Sequence, residues 1–96
     1  MVMGLQSGRV EQVLKINPRS IVPKYRQLAN EIIRLIKTEG ILQDEMLPSL
    51  HNVSSELELS KGSAVKAYEL LKARGILGSV KGKGYYLKNK EKVDGI

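Results

Sequence analysis

The sequence predicts a mainly α fold, three helices followed by a small β-hairpin, and three observations predict it. Apolar residues recur at spacings of three and four over residues 25–36, 50–57 and 64–71. Each stretch is framed by residues that start and stop helices. After Gly75 the pattern changes to a short strand, a Lys81-Gly82-Lys83-Gly84 turn and a Tyr85-Tyr86-Leu87 strand.

Taken in order, residues 1–13 carry no pattern and are expected to form a flexible N-terminal arm. Leu14-Lys15-Ile16 alternates as a short strand would, and Asn17-Pro18-Arg19-Ser20 reads as a turn. Pro23 suits the first turn of a helix, where its missing N–H would be unpaired anyway. Tyr25, Leu28, Ile32, Leu35 and Ile36 then make one apolar stripe, and Gly40 stands at the C-cap, so a helix is expected from about Pro23 to about Glu39. Ile41 to Leu47 is a connection. Ser49 is an N-cap for a short helix that carries Leu50, Val53 and Leu57 and ends near Glu58. Ser60 caps a third helix from Lys61 to about Arg74, stopped by Gly75. Two helices separated by three or four residues have helix-turn-helix spacing. With Ile76–Val80 and Tyr85–Leu87 pairing behind them, the expected architecture is a three-helix winged helix-turn-helix over residues 14–88. Residues 89–96 are expected to be a basic tail that frays.

Ninety-six residues suffice for one domain, which buries only about 60–65% of its unfolded surface. With 42% apolar residues the chain folds, and with neither Phe nor Trp its core is aliphatic. The chain has no Cys, which excludes disulfides and thiolate metal sites. No apolar run approaches the ~18 residues of a membrane span, and Met1 to Val10 lacks the apolar stretch of a signal peptide. A cytoplasmic location is the expectation. His51 is the sole histidine, and no metal-ligand or nucleophile–base spacing surrounds it. No catalysis, metal or cofactor is therefore expected.

The net charge of +6 is unevenly spread. Residues 61–92 hold nine Lys or Arg against Glu69 and Glu91, a net of +7, and the rest of the chain is at −1. Such segregation suggests a face for a polyanion. On a helical wheel Ala64, Ala67, Tyr68 and Leu71 share the core face of the third helix. Gly62, Val65, Lys66 and Glu69 oppose them, with Lys61 and Ser63 at the N-terminal end. The N-terminal part of such a helix enters the DNA major groove. Its free N–H groups and partial positive charge favour phosphate. Gly62 permits close approach, Val65 can touch a thymine methyl, and Lys66 can reach a guanine edge or a phosphate. Ser60 and Ser63 are small donors suited to phosphate, although Ser60 has a full explanation as an N-cap alone. The Lys81-Gly82-Lys83-Gly84 tip joins slim backbone to two charges, which suits phosphate and minor-groove contact. It leads into a strand, unlike a nucleotide-binding loop. Tyr85 and Tyr86 should point to opposite sides.

Together, Pro23-Lys24-Tyr25-Arg26-Gln27-Leu28-Ala29, Leu47-Pro48-Ser49, Leu59-Ser60-Lys61, Ala67-Tyr68-Glu69-Leu70-Leu71, Gly75-Ile76-Leu77 and Gly82-Lys83-Gly84-Tyr85-Tyr86 resemble the GntR family of bacterial transcription regulators. The resemblance spans roughly residues 16–88. It implies a winged helix that binds a palindromic operator in double-stranded DNA as a homodimer, with repression the expected outcome. It also adds Ser49 and His51 to the DNA face. Most family members carry a further effector-binding or oligomerisation domain, so the chain is expected to be a part of a longer regulator or a minimal member, with its effector unassigned. Four positions depart from the family pattern. His51, Lys61 and Val65 stand where members commonly have Arg, and Gly62 where they have Thr. Lys61 keeps the charge and loses the bidentate fork. The stretch Gln43-Asp44-Glu45-Met46 lacks the usual turn glycine. The alternative is a winged helix turned to protein contact, which the retained basic surface disfavours.

Overall fold

A computed structural model describes residues 16–94. The expected arm over residues 1–13, and Leu14 and Lys15 of the expected first strand, lie outside the described residues. Ile16 is half-buried and belongs to no strand.

Helix α1 spans Lys24–Glu39. Pro23 is its N-cap rather than its first helical residue, with φ −56° and ψ 145°. The Pro23 carbonyl accepts from the N–H groups of Arg26 and Gln27, both at 3.0 Å, which supplies the cap no side chain provides. Gly40 ends the helix at φ 68°, a left-handed conformation that glycine adopts without strain. The expected stripe is buried at Leu28, Ile32, Leu35 and Ile36, with Ala29 and Ile33 beside it. Tyr25 is half-buried at its edge.

Helix α2 spans Leu50–Glu56 and α3 spans Lys61–Ala73. The α2 helix ends two residues before the expected Glu58. Glu58 instead takes a left-handed φ of 54°, and the Leu59 N–H returns to the Ser54 carbonyl at 3.0 Å. That is the 6→1 bond of a Schellman stop. The Ser54 hydroxyl donates to the Leu59 carbonyl at 2.8 Å and fixes the turn into α3. The α3 helix ends in a complete Schellman motif. The Gly75 N–H bonds the Lys72 carbonyl at 2.9 Å, the Ile76 N–H bonds the Leu71 carbonyl at 3.0 Å, and Gly75 has φ 79°.

Strands β1 (Leu77–Val80) and β2 (Gly84–Leu87) pair antiparallel, with Leu77 opposite Leu87 and Val80 opposite Gly84. The connection after α1 adds a third edge to this hairpin. Leu47 N–H bonds the Tyr85 carbonyl at 2.9 Å, Leu87 N–H bonds the Glu45 carbonyl at 2.9 Å, and Asp44 N–H bonds the Leu87 carbonyl at 2.8 Å. The turn without glycine is solved by Asp44, which takes φ 69°, a region short polar side chains tolerate.

Residues beyond the wing do not fray as expected. Lys90–Asp94 form a short helix, α4, whose start is held by the Asn89 side chain accepting from the Glu91 N–H at 3.1 Å. Val93 is fully buried against the core, so packing continues past residue 88. One buried valine in a polar run leaves no periodic signal. The Gln43 side chain bridges the Lys88 carbonyl and the Lys90 N–H, tying α4 to the third edge. Among the described residues no helix is long and apolar enough to cross a membrane.

Candidate nucleic-acid interface

The core face of α3 is as expected: Ala64, Ala67, Tyr68 and Leu71 are all fully buried. Lys61, Gly62, Lys66 and Glu69 are exposed, and Ser63 and Val65 are half-buried. Ser60 caps the helix. Its hydroxyl accepts from the Ser63 N–H at 3.1 Å and donates to the Ser63 hydroxyl at 3.0 Å. Ser49 caps α2 in the same way, accepting from the Asn52 N–H at 3.1 Å. His51 is exposed on the first turn of α2.

Gly62 has no structural duty. A Cβ there would meet only the Ser60 hydroxyl oxygen at 4.0 Å, and its backbone is helical. A glycine inside a helix costs up to about 1 kcal/mol relative to alanine. The fold would be better served by alanine, so the bare backbone at this position is available to a partner.

The wing tip is shaped differently. Lys83 N–H bonds the Val80 carbonyl at 2.9 Å and closes the turn, with Gly82 at φ 78° and Gly84 at φ 116°. Both glycines are required by conformation. Lys81, Gly82 and Lys83 are exposed and Gly84 is half-buried.

Three tyrosine contacts lock these elements together, and sequence reasoning missed all three. The Tyr68 hydroxyl donates to the Pro48 carbonyl at 2.8 Å and so fixes the start of α2 against the middle of α3. The Tyr68 and Tyr85 rings meet edge to face at 5.0 Å between centroids. The Tyr85 hydroxyl donates to Glu69 Oε2 at 2.5 Å, which turns the one carboxylate on the outer face of α3 toward the wing. Burial, and then the adjacent Glu69 carboxylate, push the Tyr85 hydroxyl up to about 12. A fourth contact, also missed, sits on the other flank: the Lys66 ammonium lies 4.3 Å from the centre of the Tyr25 ring. Four tyrosines in a chain without Phe or Trp were the signal, since each hydroxyl needs a partner when buried. Tyr86 lies over Gly78, where a Cβ would approach its ring within 2.6 Å, so Tyr85 faces α3 and Tyr86 covers the outer side of the sheet.

The nine cations of residues 61–92 do not form one face. Tyr85, midway along β2, packs on Tyr68 and Glu69, midway along α3, so the hairpin runs back beside the helix. Its base, at Leu77 and Leu87, follows the C-terminal stop of α3, so its tip, with Lys81 and Lys83, points toward the Lys61 end. Lys72, Arg74, Lys88, Lys90 and Lys92 gather at the opposite end, where the Lys92 ammonium donates to the Arg74 carbonyl at 3.4 Å. A helix of α3's 13 residues separates the ends by about 20 Å. Among the described residues, Lys61, Lys66, Lys81 and Lys83 pair with no carboxylate. No grouping of His, Cys, Asp or Glu that could hold a metal occurs among the described residues.

No family model matches the chain. It is 34% identical over 65 residues to YydK of Bacillus subtilis (strain 168), an uncharacterised HTH-type transcriptional regulator; the match takes in 68% of this chain and 28% of that relative. It therefore spans little more than a quarter of that relative's length. Its fold superposes on YtrA of Sulfolobus acidocaldarius, a GntR-family transcription factor, with a TM-score of 0.72 and 31% identity, covering 80% of this chain and 81% of that one. It also superposes on the DNA-binding domain of AraR in complex with the operator ORX1, with a TM-score of 0.68 and 32% identity, covering 77% and 92% of the two chains. YydK is a transcriptional regulator and YtrA a transcription factor.

Proposed function

The chain belongs to the GntR family of transcription regulators, and we propose that its winged helix-turn-helix binds operator DNA through the N-terminal half of α3 and the lysine-tipped wing. One observation carries the reading: Gly62, exposed and spared by the fold, lies at the start of α3 among lysines that pair with no carboxylate. In this arrangement α3 enters the major groove with Gly62 against the DNA, while Val65 meets a thymine methyl and Lys61 and His51 face base edges or phosphates. The free N–H groups at the helix start and the hydroxyls of Ser49, Ser60 and Ser63 bind the backbone. Lys81 and Lys83 neutralise phosphates beside the slim turn at Gly82 and Gly84. AraR's domain was solved on an operator, and its likeness supports the same use here.

The chain acts on a palindromic site as a homodimer whose two-fold axis matches the operator, in the cytoplasm, without catalysis of its own. The test is a mobility-shift series against salt on duplexes selected from a random pool. If Lys61, Lys66, Lys81 and Lys83 all contact phosphates, the slope of log affinity against log salt reaches about −3.6 per protomer, and about twice that for a dimer. Selected sequences should show inverted half-sites. Binding that ignores salt would sink the reading, and binding by a single protomer to an asymmetric site would sink the dimer.

A further inference from the structure

The sequence leaves Lys66 two partners, a guanine edge or a phosphate, and the surroundings of its ammonium separate them. At 3.6 residues per turn, Gly62 lies opposite the centre of the core face of α3. Lys66 is turned about 40° from Gly62 toward one flank, and Val65 about 60° toward the other. The wing borders the Val65 flank, because Tyr85 packs on Tyr68 and Glu69 there. The start of α1 borders the Lys66 flank, because the Tyr25 ring holds the Lys66 ammonium at 4.3 Å. The Arg26 guanidinium lies 6.0 Å from the centre of the same ring, so two exposed cations converge on one aromatic.

We propose that Tyr25 positions Lys66 on the phosphate backbone at the rim of the groove, so that Lys66 adds affinity and reads no base. This rests on the DNA-binding reading above. A lysine that reads guanine must aim along the direction of Gly62 into the groove, and the ring draws Lys66 away from it. A phosphate asks only for a point charge at the right place. A free lysine surrenders much rotamer freedom on binding, and the ring contact removes part of that freedom beforehand. Tyr25 itself is half-buried at the edge of the core, which fixes the platform. Sequence reading then falls to the centre of α3 and its wing-side flank, at Gly62 and Val65.

The probes are a duplex selected on the unchanged chain, its single-base variants and an unrelated duplex of the same length, followed by fluorescence anisotropy across a salt series. Lys66→Gln should weaken binding to all of them by one common factor and make the salt slope shallower by about 1. Tyr25→Leu should give a smaller uniform loss. Tyr25→Phe keeps the ring and should bind within about twofold of the unchanged chain, since the cation contacts the ring face and not the hydroxyl. Adding Tyr25→Leu to Lys66→Gln should change nothing further. In the free protein, the ring-current shift of the Lys66 side chain in NMR should vanish in Tyr25→Leu and persist in Tyr25→Phe, which reports the contact without DNA. Loss of discrimination at one base position in Lys66→Gln overturns the inference, as does full affinity in Tyr25→Leu. If the unchanged chain binds no duplex at low salt, the DNA reading falls and this inference with it.

Discussion

In the C-terminal half of α3, Tyr68 and Leu71 are fully buried and the helix stops where Gly75 takes a φ of 79°. In the N-terminal half, Lys61, Gly62 and Lys66 face solvent, and Gly62 has room for a side chain it does not carry. The same helix thus holds residues the fold demands at one end and residues the fold does not explain at the other. A glycine required by its φ and a glycine required by nothing inside the molecule look alike in a sequence. Their surroundings tell them apart, and the second kind points outward to a partner.

Substitutions along the helix can break or sharpen this contrast. The largest effect is expected at Tyr68. Its replacement by Ala removes a fully buried ring and leaves the Pro48 carbonyl without its donor. Chemical denaturation should register a loss of about 3–5 kcal/mol. Gly75→Ala forces a side chain into a left-handed residue and should cost about 1–2 kcal/mol in the same assay. Gly62→Ala should do the reverse, raising stability by about 0.5–1 kcal/mol while weakening binding to a selected duplex. If Gly62→Ala lost stability, or bound DNA as before, the contrast between the two glycines would collapse.

The smallest effect concerns the wing. The Tyr85 hydroxyl titrates at about 12 in the folded chain, above its ordinary value near 10. The raised value means that folding favours the protonated phenol. The stabilisation is whole below pH 10 and is lost as pH climbs through about 10 to 12. A phenolate absorbance titration should show one late-titrating tyrosine that disappears in Tyr85→Phe. An unchanged titration curve in that variant would assign the late proton elsewhere.

Much of this fold could be read from residue order because its signals are local. The stripe from Leu28 to Ile36, the serine caps at Ser49 and Ser60 and the stops at Gly40 and Gly75 each depend on neighbours within a few positions. What could not be read depends on distant or unusual partners. The third sheet edge joins Leu47 to Tyr85 across the whole helix-turn-helix unit. Glu58 and Asp44 adopt left-handed conformations where a turn search looks for glycine. Val93 is the one buried side chain described in helix α4, and the polar ties of that helix run to Gln43, Asn89 and Arg74, all outside it. The charge excess was visible and its division was not, since consecutive lysines on a helix and hairpin that double back end up at opposite ends. Of the candidate interface, the Ser60–Lys66 segment and the wing tip were legible as chemistry. Their orientation by Tyr25, Tyr68 and Tyr85 was not, because ring contacts leave no spacing rule.

The division of charge also supplies the most direct test of the claim that the N-terminal end of α3 and the wing tip bind DNA. Two triple variants carry the same change in charge. One replaces Lys61, Lys81 and Lys83 by Gln at the recognition end, and the other replaces Lys72, Arg74 and Lys88 by Gln at the base. Affinity for a selected duplex is measured for both across a salt series. The first variant should lose binding and make the slope shallower by up to about 2.7 per protomer, while the second keeps a slope close to that of the unchanged chain. Equal losses in the two variants, or a larger loss from the base, would contradict the account.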